Sequence, residues 1–284
     1  MASRDLSRGF TFNAAAAAYD RFRPRYPRAL FDDLADVYGV TGSSRILEVG
    51  PGPGVATEGL MALGWSVLGV EPGEHLAQMA LDKFDGDRFA VEVSTFDDWD
   101  PRGRLFDVVF SAAAYHWVAP HVRWVKAAAV LDEGGVIALA GNRMVAEGSF
   151  HDFTEATRDR RESFGVDDER ATPSREDLEV LIRDCGHDVG ALWEALSPQG
   201  SSVVAGDLFE EPDVRLYPWS STYATDEVLG LLATYSRFLA LEESTREALF
   251  EQLRAVIDEH YGGELTLHYA CVLAVAERSS RSFD

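Results

Sequence analysis

The sequence predicts an α/β fold in which a mostly parallel sheet carries helices on both faces. Short apolar runs alternate with amphipathic stretches of about 10–15 residues, the pattern of strand–helix–strand crossovers. The first apolar run ends in glycines at alternate positions, which let a backbone turn sharply out of a strand. With 284 residues, 46% of them hydrophobic, the chain is also long enough for a large core.

Residues 1–26 form an N-terminal segment that starts a helix at the alanine run 14–18. That run is short, Asp5 precedes it and Tyr19-Asp20-Arg21 closes it, so it does not read as a secretory signal. Pro27 opens a helix with Leu30, Phe31, Leu34, Val37 and Tyr38 on one face, and Gly39 ends it. Arg45-Ile46-Leu47-Glu48-Val49 is the first strand. A helix over 55–63 stops at Gly64, and a second strand over 65–70 ends at Glu71-Pro72-Gly73. A helical period through Leu76, Met79, Ala80 and Lys83 follows. Further strands are expected over 89–93, 106–110 and 136–140, with a helix over 121–131 and Gly134-Gly135 before the last.

Residues 144–213 are charged and mostly helical in period, with a cap at Ser174, Asp177 three residues on, and a Gly/Ser/Pro-rich patch at 197–202. They read as an insertion covering a site. A strand over 215–223, helices over 226–239 and 246–261, and a final strand over 265–275 complete the chain. The expected organisation is an N-terminal lid (1–26), a ligand-binding core (27–143), the helical insertion (144–213), a C-terminal completion of the sheet (214–278) and a tail (279–284).

Charge and composition narrow the function. Acidic residues number 48 against 26 basic ones, a formal charge of −22, which repels phosphate backbones and anionic bilayers. Nucleic acid and membrane are therefore not the expected partners. Cys185 and Cys271 cannot build a disulfide framework or a cysteine zinc cluster, and a cytoplasmic location is expected. The apolar run 269–276 is far short of the roughly 20 residues a membrane helix needs. No spacing among the seven histidines suggests a metal site. The scarcity of lysine, only Lys83 and Lys126, reads as composition without functional content.

In an open parallel sheet, ligands bind beyond the carboxyl ends of the strands where strand order reverses. The segment Glu48-Val49-Gly50-Pro51-Gly52-Pro53-Gly54 stands there. A dinucleotide fingerprint needs G-x-G-x-x-G, but the third position is Val55 counted from Gly50 and Thr57 counted from Gly52. Two prolines also remove N–H donors that a pyrophosphate would use. Glu71, at the end of the second strand, is placed to accept the hydroxyls of a ribose. It supports an adenosine ligand without choosing between dinucleotide and other cofactors; the glycine register makes that choice.

The run E-x-G-x-G-x-G resembles the first motif of the class I S-adenosylmethionine-dependent methyltransferases. Further segments are similar to the bacterial small-molecule members, the trans-aconitate and ubiquinone-biosynthesis groups. Ala18-Tyr19-Asp20 and Arg23-Pro24-Arg25-Tyr26-Pro27 look like their N-terminal lid. Ser94-Thr95-Phe96-Asp97-Asp98-Trp99 looks like the third-strand loop at the adenine edge. Phe106-Asp107-Val108-Val109-Phe110-Ser111-Ala112-Ala113-Ala114-Tyr115-His116-Trp117 looks like the fourth-strand motif with its aromatic-His-Trp ending. The resemblance implies a Rossmann-like seven-stranded sheet and S-adenosylmethionine as cofactor, with S-adenosylhomocysteine as product. The cofactor positions it implies are Tyr19, Arg23, Glu48, Gly50, Gly52, Gly54, Glu71, Pro72, Thr95, Phe96, Ser111, Tyr115 and Trp117. No acidic-Pro-Pro-Tyr motif follows the fourth strand, so methylation of amide or adenine nitrogen loses support.

On that reading Tyr19, Tyr115 and Trp117 offer aromatic faces to a sulfonium. Arg23 either pairs with the cofactor carboxylate or pins the lid. His116 is the candidate catalytic residue, as a general base or as an orienting group. Methyl transfer to oxygen or carbon of a small organic acceptor is the leading function. A nicotinamide oxidoreductase and a non-methylating or regulatory protein that keeps the cofactor pocket are the alternatives. Phe150, Phe153, Trp193 and Phe209 either wall the acceptor cavity or pack between helices. Oligomeric state is not legible.

Overall fold

The computed structural model describes residues 16–84, 86–166, 172–196 and 204–280. Residues 1–15 of the lid, the patch at 197–202 and residues 281–284 of the tail lie outside them. In chain order the elements are α1 (Ala16–Phe22), α2 (Arg28–Asp36), β1 (Arg45–Val49), α3 (Thr57–Ala62), β2 (Ser66–Glu71), α4 (Glu74–Lys83), β3 (Phe89–Val93) and β4 (Phe106–Ala112). A 3-10 turn (Tyr115–Trp117), α5 (Pro120–Val130), β5 (Leu131–Met144), α6 (Gly148–Ala156), α7 (Arg158–Ser163), α8 (Arg175–Cys185) and α9 (Val189–Leu196) follow. A second 3-10 turn (Gly206–Leu208), β6 (Asp213–Ala224), α10 (Thr225–Ala233), α11 (Ser236–Leu239), α12 (Glu243–His260) and β7 (Glu264–Glu277) complete them.

The seven strands form one sheet in the order β3-β2-β1-β4-β5-β7-β6. β1 pairs in parallel with β2 and β4, β2 with β3, and β4 with β5. This is the Rossmann-like, mostly parallel sheet that the alternating pattern and the family resemblance predict. Strand order reverses between β1 and β4, so their carboxyl ends frame the crevice where such sheets bind ligands. β1 shows why the strand forms there. Ile46, Leu47 and Val49 are at most 3% exposed, as a central parallel strand covered on both faces requires.

The elements depart from the sequence expectations in several places, four of them with a clear local cause or consequence. α3 is shorter than the helix expected over 55–63, because the glycine loop runs on to Ala56 before the helix begins. β5 starts at Leu131 and contains Gly134-Gly135, which the sequence places before the strand; Gly134 takes φ +72°, and the pairing with β4 shifts register between Phe106 and Val108. The helix expected over 226–239 is broken into α10 and α11. There the Thr234 hydroxyl donates to the Leu231 carbonyl at 2.6 Å and Tyr235 is extended. Val37, expected on the buried face of α2, is 46% exposed, whereas Leu30, Phe31 and Leu34 are buried.

The chain divides into two compact units. The larger comprises Arg25–Asn142, Asp177–Tyr217 and Cys271–Asp284; the smaller comprises Met1–Pro24, Arg143–Glu176 and Pro218–Ala270. In the larger unit the Phe31 ring occupies the space that a Cβ on Gly59 would take, so α2 and α3 approach closely. Tyr217 and Arg215 both donate to the Asp33 carboxylate, at 2.7 and 2.9 Å, tying β6 to α2. The smaller unit has its own core, with Phe153, Val228, Leu231, Phe238, Leu249, Leu253, Ile257 and Leu267 wholly enclosed. Each such side chain contributes roughly 1.5–3 kcal/mol by leaving water.

Candidate functional site

Three loops of the larger unit leave the carboxyl ends of β1, β3 and β4, and the end of β2 stands among them. The first is the glycine loop. Gly50 takes φ +71°, and a Cβ there would collide with the Cβ of Ala114 in the turn after β4, so the two loops meet only because residue 50 lacks a side chain. Gly52 takes φ +57°, and a Cβ there would meet nothing within 4 Å. Its open side leaves space in which a ligand could approach the backbone. Gly54 donates its N–H to the Pro51 carbonyl at 3.0 Å and closes the loop.

Two carboxylates lie under this loop. Glu71 is 5% exposed; Oε2 accepts the Gly52 N–H at 3.0 Å and Oε1 the Gly73 N–H at 2.9 Å. Burial pushes its carboxyl up from the ordinary range, and the two N–H groups oppose that shift. Glu71 therefore joins the glycine loop to the turn that starts α4, and Pro72 is exposed beside it. Glu48 is 1% exposed; Oε2 accepts the Thr57 hydroxyl at 2.7 Å, and Oε1 has no hydrogen-bond partner among the described residues. Burial pushes its pKa up to about 8, opposed by the Thr57 bond and reinforced by the charge of Glu71.

After β3, Thr95 Oγ1 donates to Asp98 Oδ2 at 2.8 Å and accepts the Asp98 N–H at 3.1 Å. Phe96 stacks on Trp99 with ring centroids 6.1 Å apart. After β4, Ala113 takes φ +59°, a left-handed conformation that non-glycine residues seldom adopt and that is common at functional turns. The 3-10 turn then carries Tyr115, His116 and Trp117. His116 is half-buried with its ring centroid 4.8 Å from that of Trp117, which is 37% exposed. Asp97 Oδ1 accepts the Ala119 N–H at 2.8 Å and ties the second loop to the third.

The structure thus brings together Glu48, Gly50, Gly52, Gly54, Glu71, Pro72, Thr95, Phe96, Ser111, Tyr115, His116 and Trp117 in one unit. Three of them do not present the surface expected of them. Tyr115 is wholly enclosed and its hydroxyl donates to the Arg123 carbonyl at 2.6 Å, so it braces the turn instead of offering an aromatic face. Ser111 is also enclosed, its hydroxyl donating to the Val49 carbonyl at 2.7 Å and tying β4 to β1. Phe96 is 3% exposed and lies beneath its loop. Tyr19 and Arg23 belong to the smaller unit. There the Arg23 guanidinium lies between the rings of Tyr19 and Tyr235, 4.8 and 4.5 Å from their centroids, and donates to the Thr234 carbonyl at 3.0 Å. Of the two roles open to Arg23, those contacts match pinning. Phe150, Phe153, Trp193 and Phe209 are all at most 6% exposed; Phe150 packs on Phe153, and Phe209 packs edge-on to Trp124 of α5.

Sequence reasoning missed Arg123 and Lys126, both on α5. Arg123 is wholly buried, on the same stripe as Ala127 four residues on, and a charged residue at an apolar position of that helix was the available signal. Lys126 donates to the Asp97 carbonyl at 2.9 Å and to the Trp99 carbonyl, tying α5 to the loop after β3. Among the described residues no group of three or more His, Cys, Asp and Glu side chains could hold a metal ion, and no helix is long and apolar enough to cross a membrane.

The donor set suits the ligand that the motifs imply. The orphaned oxygen of Glu48, the open side of Gly52 and the strand-end carboxylate of Glu71 together fit a ligand with an amine and ribose hydroxyls. Comparison with known proteins agrees. Residues 47–139 match the methyltransferase domain family. An uncharacterised methyltransferase of Mycobacterium tuberculosis (strain ATCC 25618 / H37Rv) is 32% identical over 260 residues, 90% of this chain and 88% of that protein. A trans-aconitate 2-methyltransferase of Mycobacterium ulcerans is 29% identical over 214 residues, 73% of this chain and 68% of its own length. In fold, a solved structure from Anaeromyxobacter dehalogenans, assigned as a type II methyltransferase, superposes with a TM-score of 0.61 at 23% identity, covering 92% of this chain and all of that one. With the glycine loop, its acidic partners and the parallel sheet behind them, this chain belongs to the class I S-adenosylmethionine-dependent methyltransferases.

Proposed function

We propose that this methyltransferase acts on a small organic acceptor, at oxygen or carbon, in the cytoplasm. The observation that carries the reading is the placement of Glu48, Gly52 and Glu71 around one open-sided loop, with the His116-Trp117 turn in contact with that loop at Gly50 and Ala114. S-adenosylmethionine supplies an electrophilic methyl group on a positively charged sulfur. The glycine loop would run along its aminoacyl end, and Glu71 would accept ribose hydroxyls while keeping the loop in place. Glu48, once ionised, would offer its unpaired oxygen to an ammonium group. Thr95 and Phe96 would serve the adenine side, and Trp117 would give an aromatic face to positive charge.

His116 is the proton acceptor in this scheme. An imidazole is half-protonated near neutral pH and takes the proton that a hydroxyl acceptor releases as its oxygen attacks. A carboxylate or an activated carbon needs no base, so the same site serves those acceptors with His116 as an orienting group. The likeness to trans-aconitate 2-methyltransferases, with 73% of this chain aligned, supports an organic acid as the first acceptor class to try. The net charge of −22 supports a small molecule over a nucleic acid.

Calorimetric titration with S-adenosylhomocysteine tests the cofactor site, with NAD and the Glu71→Ala variant as comparisons. Micromolar binding by the wild type, weakened in the variant and absent for NAD, is expected. Failure of the folded protein to bind S-adenosylhomocysteine would overturn the site. Labelled methyl donor with a panel of organic acids, phenols and activated aromatic rings then identifies the acceptor.

A further inference from the structure

Arg123 is 0% exposed, and its hydrogen bonds converge on the turn that carries His116. Nε and Nη2 donate to the Val118 carbonyl at 3.1 and 2.7 Å, and Nη2 also donates to the His116 carbonyl at 3.2 Å. Nη1 pairs with the carboxylate of Glu194 on α9, whose side chain is 9% exposed. The Tyr115 hydroxyl meanwhile donates to the backbone carbonyl of Arg123 itself at 2.6 Å. Tyr115, His116 and Val118 are therefore all bonded, through side chain or carbonyl, to this one arginine.

Stability alone is a poor reason for such an arrangement. Taking a guanidinium and a carboxylate out of water offsets most of their attraction, and apolar residues of similar volume often serve a core at least as well. A planar guanidinium with donors in a rigid fork does what an apolar side chain cannot, which is to set the direction of several carbonyls at once. One turn further along α5, Lys126 does the same for the loop after β3 by donating to the carbonyls of Asp97 and Trp99. The Asp97 bond to the Ala119 N–H closes the space between the two loops. α5 thus grips both loops with basic side chains three residues apart.

We infer that Arg123 is a positioning residue for methyl transfer: paired with Glu194, it sets where the turn places His116 and Trp117, so that α9 governs, through this contact, the geometry of a turn far from it in sequence. The inference rests on the reading of that turn as part of the active site.

The test uses Arg123→Lys, Glu194→Gln and, as a control, Arg161→Lys. Arg161 is 3% exposed and also donates to a backbone carbonyl, that of Thr154 at 2.6 Å, but it lies in the smaller unit among α6 and α7. The readouts are thermal unfolding, affinity for S-adenosylhomocysteine, and the pH midpoint of the His116 ring by NMR of histidine-labelled protein, identified by its loss in His116→Asn. Arg123→Lys is expected to weaken S-adenosylhomocysteine at least about tenfold and to move the His116 midpoint, because small displacements of positioned groups have effects of that size or larger. Glu194→Gln is expected to move both in the same direction by less, and Arg161→Lys to lower only the unfolding temperature. Arg123→Lys and Glu194→Gln variants that lose stability while affinity and midpoint stay at wild-type values would overturn the inference. If Arg123→Lys does not fold, Glu194→Gln decides alone. If the wild type does not bind S-adenosylhomocysteine, the assignment of the site fails and the inference falls with it; a wild type that binds, beside variants that bind equally well, overturns the inference alone.

Discussion

The Thr57 hydroxyl donates to Oε2 of Glu48 at 2.7 Å, and this is the sole hydrogen bond that the Glu48 side chain receives from the described residues. Half of a fully buried carboxyl is thus left unsatisfied, in the strand that opens onto the glycine loop. Its pKa is pushed up to about 8 in the folded protein, against 4.5 ordinarily. Between those values the unfolded chain has released the proton and the folded chain still holds it. Glu48 therefore lowers stability as pH rises from about 4.5 to about 8, and no further above that. The Glu48→Gln variant lacks this titration and still accepts from Thr57. Its unfolding free energy should gain on that of the wild type with rising pH, with a slope of at most about 1.4 kcal/mol per pH unit. Denaturant unfolding of both proteins at roughly pH 5.5, 7 and 8.5 measures the difference, and parallel curves would contradict it.

Gly50 and Gly52 should respond differently to alanine. At Gly50 the new Cβ meets Ala114 and the backbone is left-handed, so Gly50→Ala should lose about 1–3 kcal/mol of stability together with cofactor affinity. At Gly52 only the backbone conformation opposes the change, by roughly 1 kcal/mol, while the Cβ enters the ligand's side of the loop. Gly52→Ala should stay folded and bind S-adenosylhomocysteine weakly. Thermal unfolding and calorimetry on the two variants separate the effects; normal affinity in folded Gly52→Ala would rule out a ligand at that open side.

Glu71 holds the glycine loop and, in the proposed function, also accepts ribose hydroxyls, and two substitutions divide these roles. Glu71→Ala leaves the N–H groups of Gly52 and Gly73 without partners, at roughly 1–3 kcal/mol for a buried donor, and removes the ribose acceptor. Glu71→Gln retains one acceptor oxygen for the loop. Affinity for S-adenosylhomocysteine should therefore fall in both variants, and the unfolding temperature should fall further in Glu71→Ala.

His116 distinguishes acceptor classes. With a hydroxyl acceptor, His116→Ala should lower kcat by about 10²–10⁴, the usual contribution of a positioned base, with affinity for S-adenosylhomocysteine little changed. Full activity of this variant with labelled methyl donor would point away from a phenolic oxygen and towards a carboxylate or carbon acceptor.

Much of the fold was legible in the sequence because the signals are local. The apolar run from Ile46 to Val49 and the glycines after it specify a buried strand and a tight turn through sterics that act within a few residues. The spacing from Gly50 to Glu71 follows from one strand–helix–strand crossover. Glu48, the glycines and Glu71 therefore stand out in the sequence as candidates for the cofactor site that the family resemblance implies. What only the tertiary structure decided involves partners far apart in the chain. Tyr115 is a support and not a ligand face because the carbonyl of Arg123 captures its hydroxyl. The break at Thr234, the bulge in β5 and the exposure of Val37 depend on how neighbouring elements pack. The pairing of Arg123 with Glu194 has no periodicity to announce it, since a helix sequence shows which positions are buried but not which distant charge waits there. Local sterics wrote the cofactor loop into the sequence; burial and long-range electrostatics, which exist only once the chain has folded, determined how the turn beside it is held.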